Sequence, residues 1–269
     1  MKKNYILFIL IVFISTTACR KIIDLEVTDT EPKLVIEGVY DATNERVDVK
    51  ITKTINVFSS DTFPIITGAN VTIYDENNNA STLNDNGDGT YSLENYLPIF
   101  NSIYRMKVEI GSSVYEAEDY LIEVNQIDSL TYEYKSGSFL IGEDGYAVYM
   151  YGSDPPGIRN FYRLIKIINH EYQTDISDQL LFDDEFGDGS TIKLTLFGST
   201  FQLHDTVRIE VRSLSEQTFK YQSSMLATAG NSGFSAAPAN PISNWNGPEE
   251  CLGNFSVYGF STDSIVVGN

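Results

Sequence analysis

From Lys33 onward, apolar and polar residues alternate with a period of two. The stretch RVDVKIT puts Val47, Val49 and Ile51 on one side and Asp48 and Lys50 on the other. YRMKVEI repeats the pattern with Tyr104, Met106, Val108 and Ile110 against Arg105, Lys107 and Glu109. VRIEVR does so again, with Val207, Ile209 and Val211 opposite Arg208, Glu210 and Arg212. Successive side chains of a strand point to opposite faces, so each stretch predicts a strand with one buried and one wet face. Such strands suit antiparallel sheets packed as sandwiches. DENNN at 75–79, NDNGDG at 84–89, DPPG at 154–157 and GDGS at 187–190 supply the turns between them.

One stretch changes period. In SLSEQTFKYQSSML, Ser213 precedes Glu216 by three, the spacing of a capping box, and Phe219 and Leu226 follow at helical intervals. This predicts a short helix near 214–226, laid over a sheet edge that would otherwise invite aggregation. The expected architecture is therefore mainly all-β. An immunoglobulin-like β-sandwich of about seven strands spans 33–125, and a second β-rich domain with the one helix and an irregular C-terminal stretch spans 126–269.

The chain opens differently. Lys2 and Lys3 precede the apolar run Tyr5 to Ile14, and Ser15, Thr16, Thr17 and Ala18 follow. That is the layout of a signal peptide over 1–18. Ten apolar residues make about 15 Å of helix, half of a bilayer's core, which is too short to span it. TTAC resembles a bacterial lipobox, with Thr16 where leucine is usual, and predicts lipidation at Cys19 and a tether over 19–32. Several acyl chains, at ~0.8 kcal/mol per buried CH2, would anchor the protein firmly. The alternative is cleavage at another small residue and a soluble product.

Composition narrows the classes. Removing 18 of the 269 residues leaves 251, with hydrophobic content of 42% over the whole chain, enough for a substantial core. The net charge of −19 falls to about −21 without Lys2 and Lys3, and no basic patch suited to nucleic acid stands out. Cys19 and Cys251 are the only cysteines. Acylation of Cys19 leaves Cys251 unpaired, whereas an unlipidated product could join the two in a disulfide.

Candidate chemistry is sparse. NDNGDGTYSLEN places Asn84, Asn86 and Asp88 at calcium-loop positions, but Asn95 stands where the bidentate Glu belongs, so a β-turn is the simpler reading. FDDEFGDG at 182–189 gathers four carboxylates that either solvent or Ca2+ would relieve. His170 and His204 are the only histidines, too few with Cys251 for a zinc site of His/Cys type, and no G-x-S-x-G elbow is present. The reading is a non-enzyme without cofactor or resident metal. The aromatic-rich DPPG region and the Pro-rich stretch containing Trp245 provide a candidate partner or ligand surface: Asp154, Pro155, Pro156, Gly157, Asn240, Pro241 and Trp245.

Four stretches together resemble a known family: ACRKIIDLEVTDTEPKLVIEGVY, GDGTY at 87–91, DPPGIRNFYRL at 154–164 and ANPISNWNGPEECLGNFSVYG at 239–259. The chain is similar, from Cys19 almost to its end, to the Bacteroidota lipoproteins grouped as domain of unknown function family 4249. It departs from them at GPEECLGNF, where that family usually has a Gly-rich run. The resemblance implies an outer-membrane lipoprotein encoded beside TonB-dependent receptors, hence an accessory or ligand-capture subunit of such a transporter. It implies no catalytic residues. Arg20 and Lys21 precede Asp24, which leaves the membrane face open. The alternatives are a surface adhesion or structural module and, behind it, a carbohydrate- or peptide-active hydrolase.

Overall fold

The structure, a computed structural model, describes residues 31–56, 59, 61–136, 144–175, 178–185, 187–196, 200–229 and 240–268. The expected signal peptide, the lipid attachment at Cys19 and most of the tether lie outside the described residues. Pro32–Asn269 forms one compact unit.

Strands β1 (Leu34–Asp41), β2 (Arg46–Lys53), β3 (Asn70–Tyr74), β4 (Ala80–Thr82), β5 (Asn84–Asp85), β6 (Thr90–Leu93), β7 (Ser102–Ile110) and β8 (Ser113–Leu121) come first. They are followed by β9 (Ile127–Lys135), β10 (Gly145–Ser153), β11 (Phe161–Ile168), β12 (Glu171–Tyr172), β13 (Leu180–Asp183), β14 (Thr191–Thr195) and β15 (Thr206–Leu214). Helix α1 (Glu216–Ala229), β16 (Cys251–Leu252) and the long β17 (Phe255–Val266) complete the described elements. The β-sandwich expectation holds.

One sheet of ten strands organises the unit, in the order β12-β11-β15-β17-β1-β2-β6-β5, with β13 also on β11 and β16 also on β1. A four-stranded sheet, β4-β3-β7-β8, and a three-stranded one, β14-β10-β9, pack against it. Strand alternation decides where. Phe255 and Val257 of β17 join the core with Ile36, Val49, Ile73 and Met106, whereas Ile265, of the same parity, joins a second core with Val148, Leu164 and Ile209. Residues of one parity share a face, so both small sheets cover the same side of the long one. On the other side, Tyr258 and Phe260 pack with Phe161, Leu214 and Phe219 beneath α1.

The expected boundary at 125/126 falls in the β8–β9 link, but the chain does not come apart there. β17 runs parallel to β1, with Gly38 opposite Phe255 and Asp41 opposite Tyr258, so the first sandwich borrows a central strand from the end of the chain. The link itself is fastened to the long sheet. Asn125 donates its backbone N–H to Ser213 Oγ (3.1 Å) and its Nδ2 to Tyr162 OH (2.9 Å), and its carbonyl accepts from Ser261 Oγ (2.9 Å). Gly259 permits this approach, since a Cβ there would lie 2.4 Å from Val124 Cγ2.

Two local expectations need correction. Ser213 does not cap the helix, because it is still in β15 and is held by Asn125; Ser215 caps it instead, accepting the Thr218 N–H at 3.1 Å. Nor is the polar face of β15 wet along its whole length: Arg208 is exposed, but towards α1 Glu210 is buried, bound by Arg212 Nε at 2.7 Å. Asp119 of β8 ties these parts together. Its buried carboxylate accepts from the Ser215 and Thr218 hydroxyls and from the Val257 N–H (2.7 Å), just where β15 ends and leaves that amide without a strand partner. Burial pushes the Asp119 carboxyl well above its ordinary range, against the pull of those donors.

Candidate functional site

The DPPG turn leaves β10 and enters β11. Asp154 is buried, whereas Pro155, Pro156 and Gly157 are exposed. Gly157 takes a φ of +81°, which a glycine adopts without steric cost. The Asp154 carboxylate accepts from Tyr162 OH (2.8 Å) and from the Gly189 N–H (3.1 Å), and its own N–H donates to Ser190 O (3.1 Å). From the facing loop, Asp188 Oδ1 accepts the Gly157 N–H at 2.7 Å, and Arg159 reaches Asp183 (2.8 Å) and Glu185 (3.1 Å). Two stretches that stand apart in sequence, DPPG and FDDEFGDG, therefore form one double loop.

Carboxylate oxygens of Asp154, Asp184 and Asp188 lie within 4.8 Å of one another, a donor set that a hard divalent cation accepts. Protein donors already meet these oxygens: Tyr162 and Gly189 at Asp154, Gly157 at Asp188, and Asn160 Nδ2 at 3.4 Å from Asp184. Those bonds account for the arrangement. Burial, and after it the Asp184 carboxylate, push the Asp154 carboxyl up, while the bonds from Tyr162 and Gly189 pull it down. Tyr162 OH also accepts from Asn125, so the loop is hydrogen-bonded through one phenol to the link between the sandwiches.

The second nominated segment behaves differently. Trp245 is not a surface residue. It is 7% exposed and sits in the first core, its Nε1 donating to Ile36 O at 2.9 Å and its ring 6.4 Å from that of Phe255. Asn244 acts as a short stretch of strand, accepting the Phe255 N–H and donating to Phe255 O, both at 2.8 Å. Asn246 exchanges two backbone bonds of 2.8 Å with Glu116, on the edge of β8 that carries no other strand. Gly247 lies flat on Tyr115, where a Cβ would come within 2.2 Å of the ring. The segment straps the open edge of the first sandwich. Asn240 and Pro241 remain on the rim of an open groove of about 520 Å³, which Ile242, 89% exposed, also lines.

The structure adds residues that sequence did not nominate. An open groove of about 490 Å³ runs between the outer face of β7–β8, the Ile158–Arg159 end of the DPPG loop and the first turn of α1. Ile103 (50% exposed), Tyr120 (41%) and Ile158 (59%) stand along it. Ile103 and Tyr120 are paired across the two strands. They occupy the wet parity that Arg105, Lys107 and Glu118 share, and an apolar residue at such a position was the signal available in the sequence. Gln217 and Asn244 both donate to Glu118 O, at 3.2 and 3.3 Å, so the groove and the strap meet at one carbonyl of β8.

Other candidates resolve into structure. Residues 84–93 form the β5–β6 hairpin, with Asp85 and Asp88 capping the turn through Gly87 N (2.8 Å) and Thr90 N (3.0 Å). His170 and His204 are exposed turn residues, each with a φ of 72°. Cys251 is buried beside Leu34, and burial pushes its thiol up to about 12. Among the described residues no helix is long and apolar enough to cross a membrane, which leaves strand-built spans aside.

No curated protein matches the chain. Among solved structures, it is similar to a segment of two fibronectin type III domains from chicken tenascin, at 11% identity over 68% of this chain and 90% of that one, with a TM-score of 0.22. It is equally similar to the chicken interferon gamma receptor alpha chain, at 11% identity over 68% and 88%, also with a TM-score of 0.22. The family model described as domain of unknown function DUF4249 matches residues 20–264, nearly the whole β unit and the segment before it, and the chain belongs to that family.

Proposed function

We propose that this protein is a lipid-anchored, non-enzymatic accessory subunit of a TonB-dependent transporter in an outer membrane, contributing a docking or ligand-capture surface. The observation that carries the reading is the order of parts at the start: a cationic, apolar leader, then Ala18–Cys19, then residues 20–31, then a compact unit from Pro32. Twelve residues reach at most about 40 Å when extended, so such a tether would keep the β unit close to the membrane that holds Cys19. Confinement to a surface raises the effective concentration of a neighbouring receptor, so even a weak contact would be occupied.

Native purification from membranes in mild detergent, with mass spectrometry of the co-eluting chains, tests the reading. It predicts a TonB-dependent receptor in stoichiometric amount. Recovery of the protein alone, under conditions that preserve known receptor complexes, would contradict it. Cys19→Ala should move the protein to the soluble fraction; retention on the membrane would overturn the anchor.

A further inference from the structure

Solvent-facing positions of an edge hairpin are ordinarily polar. Here Ile103 and Tyr120 on β7 and β8 face Ile158 from the DPPG loop across a groove whose floor includes Ile122, Phe161 and Leu214. A hairpin and a loop distant from it in sequence thus expose apolar side chains to one opening. Nothing in the loop's own architecture requires Ile158 to be apolar, because Asp154, Gly157 and Arg159 supply the loop's hydrogen bonds and ion pairs. Contiguous exposed apolar surface of this kind marks interaction sites.

The charge around it selects the partner. Glu118 lines the groove, as does Glu216, whose carboxylate shares a solvent-exposed pair with Lys220 at 2.7 Å, and the adjoining groove of about 400 Å³, which shares Ile103, Glu118 and Tyr120, adds Asp75 and Glu76. The two arginines are already engaged: Arg159 with Asp183 and Glu185, and Arg105 with Glu116 at 3.7 Å and over the Tyr74 ring. A second copy of a chain carrying −19 would be repelled here.

We propose that the groove between β7–β8, Ile158 and the start of α1 docks a segment of a membrane-resident protein that alternates branched apolar with basic side chains. The apolar side chains fill the space beside Ile103, Tyr120 and Ile158, and Lys or Arg residues meet Glu118, Glu216 and the acids of the adjoining groove. The contact is small beside a standard interface of roughly 1,600 Å², so it is weak in free solution and suited to a tethered protein. This deepens the accessory-subunit reading and rests on it for where the partner resides.

The test titrates the full mature chain into fluorescein-labelled peptides of alternating Leu-Lys, Ser-Lys and Leu-Glu sequence, read by anisotropy. Wild type should bind Leu-Lys at least tenfold more tightly than Ile103→Ser/Tyr120→Ser/Ile158→Ser, which keeps every charge. Ser-Lys should not distinguish the two proteins, and Leu-Glu should not bind. Glu118→Gln/Glu216→Gln should weaken Leu-Lys severalfold. Equal binding of Leu-Lys to wild type and the triple variant would reduce the effect to bulk charge and overturn the proposal, as would no binding at all. Ile158→Ser alone, at an exposed loop position, gives the same reading if the triple variant folds poorly. A receptor that co-purifies with wild type and triple variant alike would refute the groove and leave the accessory reading standing. If neither chain recovers a receptor, that reading falls and the peptide titration alone decides the groove's chemistry.

Discussion

The strap around Trp245 and the loop after Asp154 are both irregular, both proline-bearing and both built on a buried side chain, yet they turn opposite ways. In the strap the large residue goes inward: Trp245 enters the first core and Asn244 copies a strand's hydrogen bonds to Phe255. In the loop the small acidic residue goes inward, Asp154 binding Tyr162 and Gly189, while Pro155 to Arg159 stay exposed. One segment closes an edge and the other presents a surface. The difference follows from what each buried group needs. An indole gains by losing apolar area to the core and requires one acceptor, whereas a buried carboxylate requires donors, which a turn's amides supply.

Trp245→Ala is the strongest way to break this contrast. Emptying the indole's place should cost about 3–5 kcal/mol, seen as a lowered midpoint in urea unfolding. The same measurement on Ile158→Ser should stay within about 0.5 kcal/mol, as for an ordinary surface change. Similar losses for the two would erase the distinction between closing and presenting segments.

A smaller effect concerns pH. The Asp154 carboxyl is raised from its ordinary 3.8 by burial and by Asp184. The folded state therefore holds this proton more tightly than the unfolded chain does. The resulting stabilisation is full below the unfolded value and is lost as pH rises through the folded one. Asp154→Asn removes that titration and keeps an acceptor for Tyr162. Unfolding free energies measured across the acidic range should show wild type losing ground to the variant as pH rises. A constant gap would mean that Asp154 titrates alike in both states.

Much of the strand pattern was legible because period-two alternation survives burial: Val47, Val49 and Ile51 all face the first core, as do Tyr104, Met106 and Val108. The sharing of the long sheet was not legible. The parallel pairing of β1 with β17 joins residues more than two hundred positions apart, and alternation says which face a strand buries but not which strand lies beside it. Helix capping slipped by two residues because the Ser213–Glu216 spacing does not reveal that β15 runs through Ser213 to Leu214, which leaves Ser215 as the cap. Asp154 and Trp245 stood out as unusual residues, and their unusual character proved to be structural. The surface beside them was written more quietly, as Ile103 and Tyr120 at positions where neighbours of the same parity are charged.

Hydrogen–deuterium exchange on the protein tests most directly whether the two segments do opposite jobs. The Asn246 amide, bonded to Glu116 O at 2.8 Å, and the Phe255 amide, bonded to Asn244 Oδ1 at 2.8 Å, should exchange only through global unfolding. The amides of Ile158 and Arg159 should exchange orders of magnitude faster. Peptides covering 244–247 that exchange as quickly as those covering 155–159 would contradict the account, because the strap would then be a surface loop and not part of the sandwich.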